Sequence, residues 1–178
     1  MINDLKEILL DEACIRAKIK EIGAEISRDY KDKDLMLVGV LKGSVMFMAD
    51  LMKEITIPCT MDFMAVSSYG NSTETSGVVR ILKDLDYQIE NKDVLIVEDI
   101  IDSGVTLKYL IEYLKARKPS TIEIACLLNK PERRKVEILT KYLGFNVPDY
   151  FLVGYGLDYA EKYRNIPYIG ILKDEIYK

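Results

Sequence analysis

The sequence predicts an α/β fold: a central, mainly parallel sheet flanked by helices, with a small hood lobe built from the two chain ends. Three observations predict it. Continuously apolar runs such as Leu35–Leu41 read as strands buried on both faces. Between them lie segments whose apolar residues recur every three or four positions, the spacing of a helix. The two kinds alternate, which makes β-α-β units and favours parallel strands.

In chain order, the first periodic segment runs from Asp11 to Tyr30, where Ile15, Ile19, Ile22 and Ile26 share one helix face. Leu35–Leu41 is a buried strand. After Lys42-Gly43-Ser44, helical spacing returns at Val45, Met48, Ala49 and Met52, and Cys59–Val66 is strand-like again. Ser67 to Gly77 holds almost nothing that could pack and reads as a loop. Val78–Leu82 and Val94–Val97 are the next strands. Leu107, Leu110, Ile111 and Leu114 mark an amphipathic helix between Gly104 and Ala116, and Thr121–Leu128 is a strand. Beyond Pro131 the pattern shortens into strand-like pieces at Tyr142–Phe145, Phe151–Tyr155 and Ile166–Leu172. One domain over 1–178 is expected, with its core at about 30–130 and its hood from the N-terminal segment and about 131–178.

Composition narrows the function classes. An apolar share of 49% in 178 residues supplies a substantial core. The 25 basic and 29 acidic residues are spread along the chain, leaving no electrostatic footprint for general nucleic-acid binding. No apolar run approaches the roughly 20 residues of a membrane span. Met1–Ala13 is too polar for a signal peptide, so a cytoplasmic protein without a membrane partner is expected. Cys14, Cys59 and Cys126 are widely separated and expected to be buried free thiols. Histidine is absent, which excludes Ser-His-Asp and Cys-His catalysis and histidine-based zinc sites. Base work falls to a carboxylate, lysine or tyrosine, and a metal would be a hard cation on oxygen ligands.

The chemistry concentrates in Val94–Thr106. An apolar strand ends in two carboxylates, Glu98 and Asp99, and a short loop closes with Asp102-Ser103-Gly104-Val105-Thr106 as a helix begins. In open α/β sheets ligands bind at that strand edge. The helix start offers unpaired N–H groups and a positive dipole end to a phosphate. Gly104 permits close backbone approach, while the Ser103 and Thr106 hydroxyls add donors. The competing reading is an acidic turn in which Asp102 or Ser103 merely caps the helix. Three carboxylates beside a phosphate cradle need an offset, either a divalent cation or a neutral polyol such as ribose.

This thirteen-residue run resembles the signature by which type I phosphoribosyltransferases bind phosphoribosyl diphosphate (PRPP). Over most of the chain the resemblance extends to the bacterial hypoxanthine-guanine branch of that family. It is carried by Leu41-Lys42-Gly43-Ser44, Ser68-Tyr69-Gly70, Leu127-Leu128-Asn129-Lys130 and Phe151–Tyr159, with Arg164 at the family's spacing. The resemblance implies the type I phosphoribosyltransferase fold and transfer of phosphoribosyl to a 6-oxopurine, with Mg²⁺ as cofactor. It implies that Glu98 and Asp99 hold the ribose hydroxyls, partly through magnesium, with Asp158 a second magnesium ligand through water. Backbone amides from Asp102 to Thr106 would grip the 5′-phosphate, and Asp102 would be the general base toward the purine.

On the same resemblance Lys130 donates to the exocyclic oxygen, Phe151 stacks on the base, and carbonyls near Leu152 and Asp158 take the guanine amino group. From the residues alone, Lys130 reads equally as a solvated surface lysine and Phe151 as a core aromatic. Lys42 and Gly43 would form the diphosphate loop, whose peptide before the lysine is often cis, with Arg164 a further cation. Ser68 and Tyr69 would belong to a lid. Val105 departs from relatives that carry a lysine or arginine there. A homodimer or homotetramer is implied. Two other readings stand beside this one. The first is a transferase of the same fold for adenine, xanthine or a pyrimidine. The second is a PRPP-binding regulator of RNA or DNA, for which Lys130–Lys135 would be the phosphate patch or else a solvated turn.

Overall fold

The computed structural model describes residues 1–68 and 79–178. The chain opens with a strand, β1 (Leu5–Leu10), followed by α1 (Glu12–Asp29), which Asp11 caps by accepting from the Cys14 amide. Then come β2 (Leu35–Leu41), α2 (Val45–Glu54), β3 (Cys59–Ser68), β4 (Val79–Lys83), β5 (Asp93–Ile101), α3 (Val105–Lys115), β6 (Thr121–Asn129) and β7 (Tyr142–Asn146). Two short strands, β8 (Leu152–Val153) and β9 (Ile169–Leu172), precede a final turn of helix, α4 (Asp174–Tyr177). No helix among the described residues is long and apolar enough to cross a membrane.

Six strands form the main sheet in the order β4-β3-β2-β5-β6-β7, all parallel except for β4, which runs antiparallel to β3. Successive side chains of a strand point to opposite faces, so the central strands divide their apolar residues between two cores. Leu35, Leu37, Leu95 and Val97 face α1 and α2, meeting Ile15, Ile22, Phe47 and Leu51. Met36, Val38, Val94 and Ile96 face the other way, onto Leu107, Leu110 and Leu114 of α3. Burial on both sides is why these strands lack polar alternation. The fold class read from the sequence is the observed one.

The hood is a three-stranded antiparallel sheet, β1-β9-β8, drawn from both chain ends over a third apolar cluster that includes Leu5, Val153, Ile166 and Leu172. Four details differ from the sequence reading. β1 was expected only as part of a terminal segment: it is an irregular strand with two register shifts, and no apolar period announces it. The pieces at Phe151–Tyr155 and Ile166–Leu172 shrink to two and four residues, the first because Gly154, Tyr155 and Gly156 all take positive φ and turn the chain. Ser67 and Ser68 belong to β3 rather than to a loop, since their backbones pair with Arg80 and Val79. Of the three cysteines only Cys126 is buried, while Cys14 is exposed on α1 and Cys59 intermediate.

Candidate active site

β5 does not stop at its apolar run. Backbone pairing with β6 continues through Glu98↔Cys126, Ile100↔Leu128 and Ile101↔Asn129, so Glu98 and Asp99 are strand residues held in a rigid ladder. Pairing needs only peptide groups, which is why it outlasts the hydrophobic pattern. At this end of the sheet a cavity of about 390 Å³ opens. Its floor is Lys42 and Gly43 after β2, Glu98 to Ile100 on β5, and Lys130 after β6. Its opposite wall is hood: Phe151, Leu152, Leu157, Asp158 and Arg164. A second hollow of about 150 Å³ shares Glu98 and Asp102 and continues over Ser103, Gly104 and Thr106. Val105 is the first residue of α3, just behind that hollow.

These two hollows bring together nearly every residue singled out in the sequence. Of the expected lid, Ser68 is the last residue of β3, whereas Tyr69 and the stretch to Gly77 lie outside the described residues.

Burial and the adjacent Asp99 push the Glu98 carboxyl well above the usual carboxylate range. Asp99 is pushed up to about 6, first by burial, with the Ile100 amide donating 2.8 Å to its Oδ1 and pulling the other way. Both groups are therefore poised to gain from a cation or from hydroxyl donors. Among the described residues no cluster of three or more acidic or cysteine groups could hold a metal alone. Glu98, Asp99 and Asp158 border one cavity without forming a cage. That suits Mg²⁺, which keeps waters and shares its shell between one or two carboxylates and a substrate phosphate.

Asp102 is not the helix cap. Gly104, at φ 80°, occupies the cap position of α3 without a side-chain bond, and the Ser103 hydroxyl accepts from the Val105 amide at 3.3 Å. Asp102 Oδ1 is buried with no hydrogen-bond partner. Lys130 Nζ lies 3.8 Å from it and donates to the Tyr150 carbonyl at 2.8 Å. Lys130 is only 6% exposed, which decides against a solvated surface lysine. Phe151 borders the cavity, so it is more than a core aromatic.

The Leu41–Lys42 peptide is cis. Gly43 sits so close to β5 that a Cβ there would fall 1.7 Å from Asp99 Oδ2, and one on Gly156 would fall 2.0 Å from the Gly43 carbonyl. Gly43 thus packs against the Asp99 carboxylate on one side and the Gly156 backbone on the other. Arg164 pairs with Asp158 at 2.9 Å and donates to the Gly156 carbonyl at 2.7 Å. Lys42 pairs with Glu161 at 2.9 Å, and Arg164 reaches the same carboxylate at 3.4 Å.

Sequence reasoning missed Ile100 and Leu157 on the cavity, and the work of the basic run Lys130–Lys135. Pro131 starts a 3-10 turn that folds these cations back toward the site. Arg133 borders the cavity and lies 3.3 Å from Asp149 and 3.8 Å from Asp102. Arg134 donates to the Asp102 carbonyl at 3.2 Å and to the Asn129 side chain, while the Lys135 amide donates to the Ser103 carbonyl at 3.0 Å. The run straps the Asp102–Ser103 turn in place, while the Arg133 and Lys135 side chains stay exposed. The proline after Lys130 was the available signal.

The sequence pattern of the phosphoribosyl transferase domain matches residues 6–160. The hypoxanthine-guanine phosphoribosyltransferase of Bacillus subtilis (strain 168) is 54% identical over 178 residues, covering 100% of this chain and 99% of that protein. A protein of the same name from Staphylococcus epidermidis is 59% identical over 177 residues, with 99% of both covered. The crystal structure of a hypoxanthine phosphoribosyltransferase from Staphylococcus aureus superposes with a TM-score of 0.97 at 56% identity, covering 100% of this chain and 97% of that one. The match takes in the whole main sheet and relatives run alongside from end to end, so the chain belongs to the phosphoribosyl transferase family.

Proposed function

We propose that the protein is a purine salvage enzyme that transfers a 5-phosphoribosyl group from PRPP to hypoxanthine or guanine, giving IMP or GMP and diphosphate. One observation carries this reading: a buried lysine, Lys130, forms a 3.8 Å ion pair with an Asp102 carboxylate oxygen that accepts no hydrogen bond, both on one cavity. A 6-oxopurine needs that pair of groups, a donor for its exocyclic oxygen and an acceptor for its imidazole proton. A 6-amino group would face an ammonium that cannot accept, at a cost of about 1–3 kcal/mol or more.

In this mechanism the amides of Asp102–Thr106 hold the 5′-phosphate at the start of α3. Glu98 and Asp99 hold the ribose hydroxyls. Lys42, the Gly43 backbone and Arg164 receive the leaving diphosphate, with Ser68 and Tyr69 closing over it. Phe151 orients the base, and carbonyls near Leu152 and Asp158 take the amino group of guanine. Asp102 accepts the purine proton as positive charge develops on the ribose. Glu98 and Asp99, with Asp158 through water, would hold Mg²⁺ together with donor oxygens, and the ion would supply charge neutralisation for the diphosphate. A cytoplasmic homodimer or homotetramer completes the proposal, with light scattering as the check on assembly.

Magnesium-dependent formation of IMP from hypoxanthine and PRPP, compared with guanine and adenine, tests the reading. Turnover of adenine equal to that of hypoxanthine would overturn the 6-oxopurine assignment. Asp102→Asn is expected to lower kcat by roughly 10²–10⁴-fold; full activity in that variant removes Asp102 as the base.

A further inference from the structure

Phe151 is held on two sides. The Tyr177 ring stacks on it with centroids 4.7 Å apart and planes 28° from parallel, and Tyr159 meets it edge-on at 5.6 Å and 89°. Phe151 borders the cavity, whereas Tyr177 does not. Tyr177 therefore covers the ring on the side away from the cavity.

The chain end that carries Tyr177 is fastened in place. The Leu172 amide donates to the Phe151 carbonyl at 2.8 Å, and the Lys173 amide donates to the Asp4 carbonyl at 3.0 Å. Within α4 the Tyr177 hydroxyl donates to Asp174 Oδ1 at 2.9 Å. The same short segment thus grips Phe151 by backbone and by ring.

We infer that Tyr177 is a positioning residue for the purine, backing Phe151 so that the base adds a third layer to an existing aromatic stack. The inference rests on the proposed function. A phenyl ring just before a two-residue strand is free to turn unless something fills its far side. Offset stacking on Tyr177 fixes its plane before the base arrives, so binding the base no longer includes the cost of ordering Phe151. That benefit is the same for bound base and for transition state. Its loss therefore raises KM for the base and leaves kcat in place. The proposed PRPP contacts, on β5, at the start of α3, at Lys42 and Gly43 and at Arg164, are not members of this stack, so KM for PRPP does not move.

The test is steady-state kinetics of the full-length protein with Tyr177→Ala, Tyr177→Leu and Tyr177→Phe. Tyr177→Ala should raise KM for hypoxanthine roughly 2- to 10-fold, with kcat and KM for PRPP within twofold of the parent. Tyr177→Phe should restore the parental KM, because the ring and not the hydroxyl does the stacking, and Tyr177→Leu should not. An unmoved KM for hypoxanthine in the alanine variant overturns the inference. So does equal rescue by leucine, which would make Tyr177 mere apolar filling, or a parallel loss in kcat and KM for PRPP, which would report general damage to the hood. An unmutated protein without transferase activity overturns the site reading itself. An active parent with an indifferent alanine variant overturns the role of Tyr177 alone.

Discussion

A carboxyl raised to about 6 by burial, as Asp99 is, keeps its proton in the folded protein over a range where the unfolded chain has released it. Between about pH 4 and pH 6 the folded state thus binds more protons, so this group makes stability fall as pH rises, and its full cost is present above pH 6. Asp99→Asn is expected to stabilise the donor-free protein at pH 7–8 by on the order of 1–3 kcal/mol, several degrees in Tm for a chain of this size. The gain should fade toward pH 4, and PRPP binding should be lost. Thermal melts across that range check it, and a Tm unchanged at neutral pH would show that the ionised carboxyl carries no penalty. The residue types of the site were legible in sequence because strand, acid pair and Gly-containing loop are contiguous. The partners were not: Asp149 and Glu161 meet Lys130 and Lys42 through folds of the chain that no local spacing encodes.

At the scale of elements, α1, β2, α2, α3 and β6 followed from periodicity because each buries a full face or both faces. β8 and β9 were read as strands but with bounds too long, because the limits of a strand of two to four residues are set by its neighbour and not by its own pattern. One tightly constrained junction lies where the hood touches the turn after β2, at Gly156, with φ 97° and the Gly43 carbonyl where a side chain would go. Gly156→Ala combines an unfavourable left-handed backbone with a clash against backbone that has no rotamer to yield. The expected result is a lower Tm together with a raised KM for PRPP, since the displaced group is the loop proposed to hold diphosphate. A variant that melts lower yet keeps its KM for PRPP would show that the loop position is set elsewhere.

For the whole molecule, the parallel sheet was readable from the alternation of elements, and the antiparallel edge strand β4 was not, because direction is decided by the connection and not by composition. The two lobes differ in how much holds them. β2 and β5 are buried on both faces at the centre of six strands, whereas the hood has three strands and a small core. Native-state hydrogen exchange should therefore find the slowest amides in Leu35–Val40 and Val94–Val97, with β8 and β9 exchanging sooner through partial opening. Uniform protection across both lobes would show a single cooperative unit. The hood also links the beginning of the chain to its end, pairing Leu5 with Leu172. During synthesis β1 must wait, unpaired, until β9 has been made, while the acidic floor on β5 can already assemble. On the proposed reading the newborn protein thus holds its sugar-phosphate loop, Asp102 and Lys130 before the hood closes around Phe151 to orient the base.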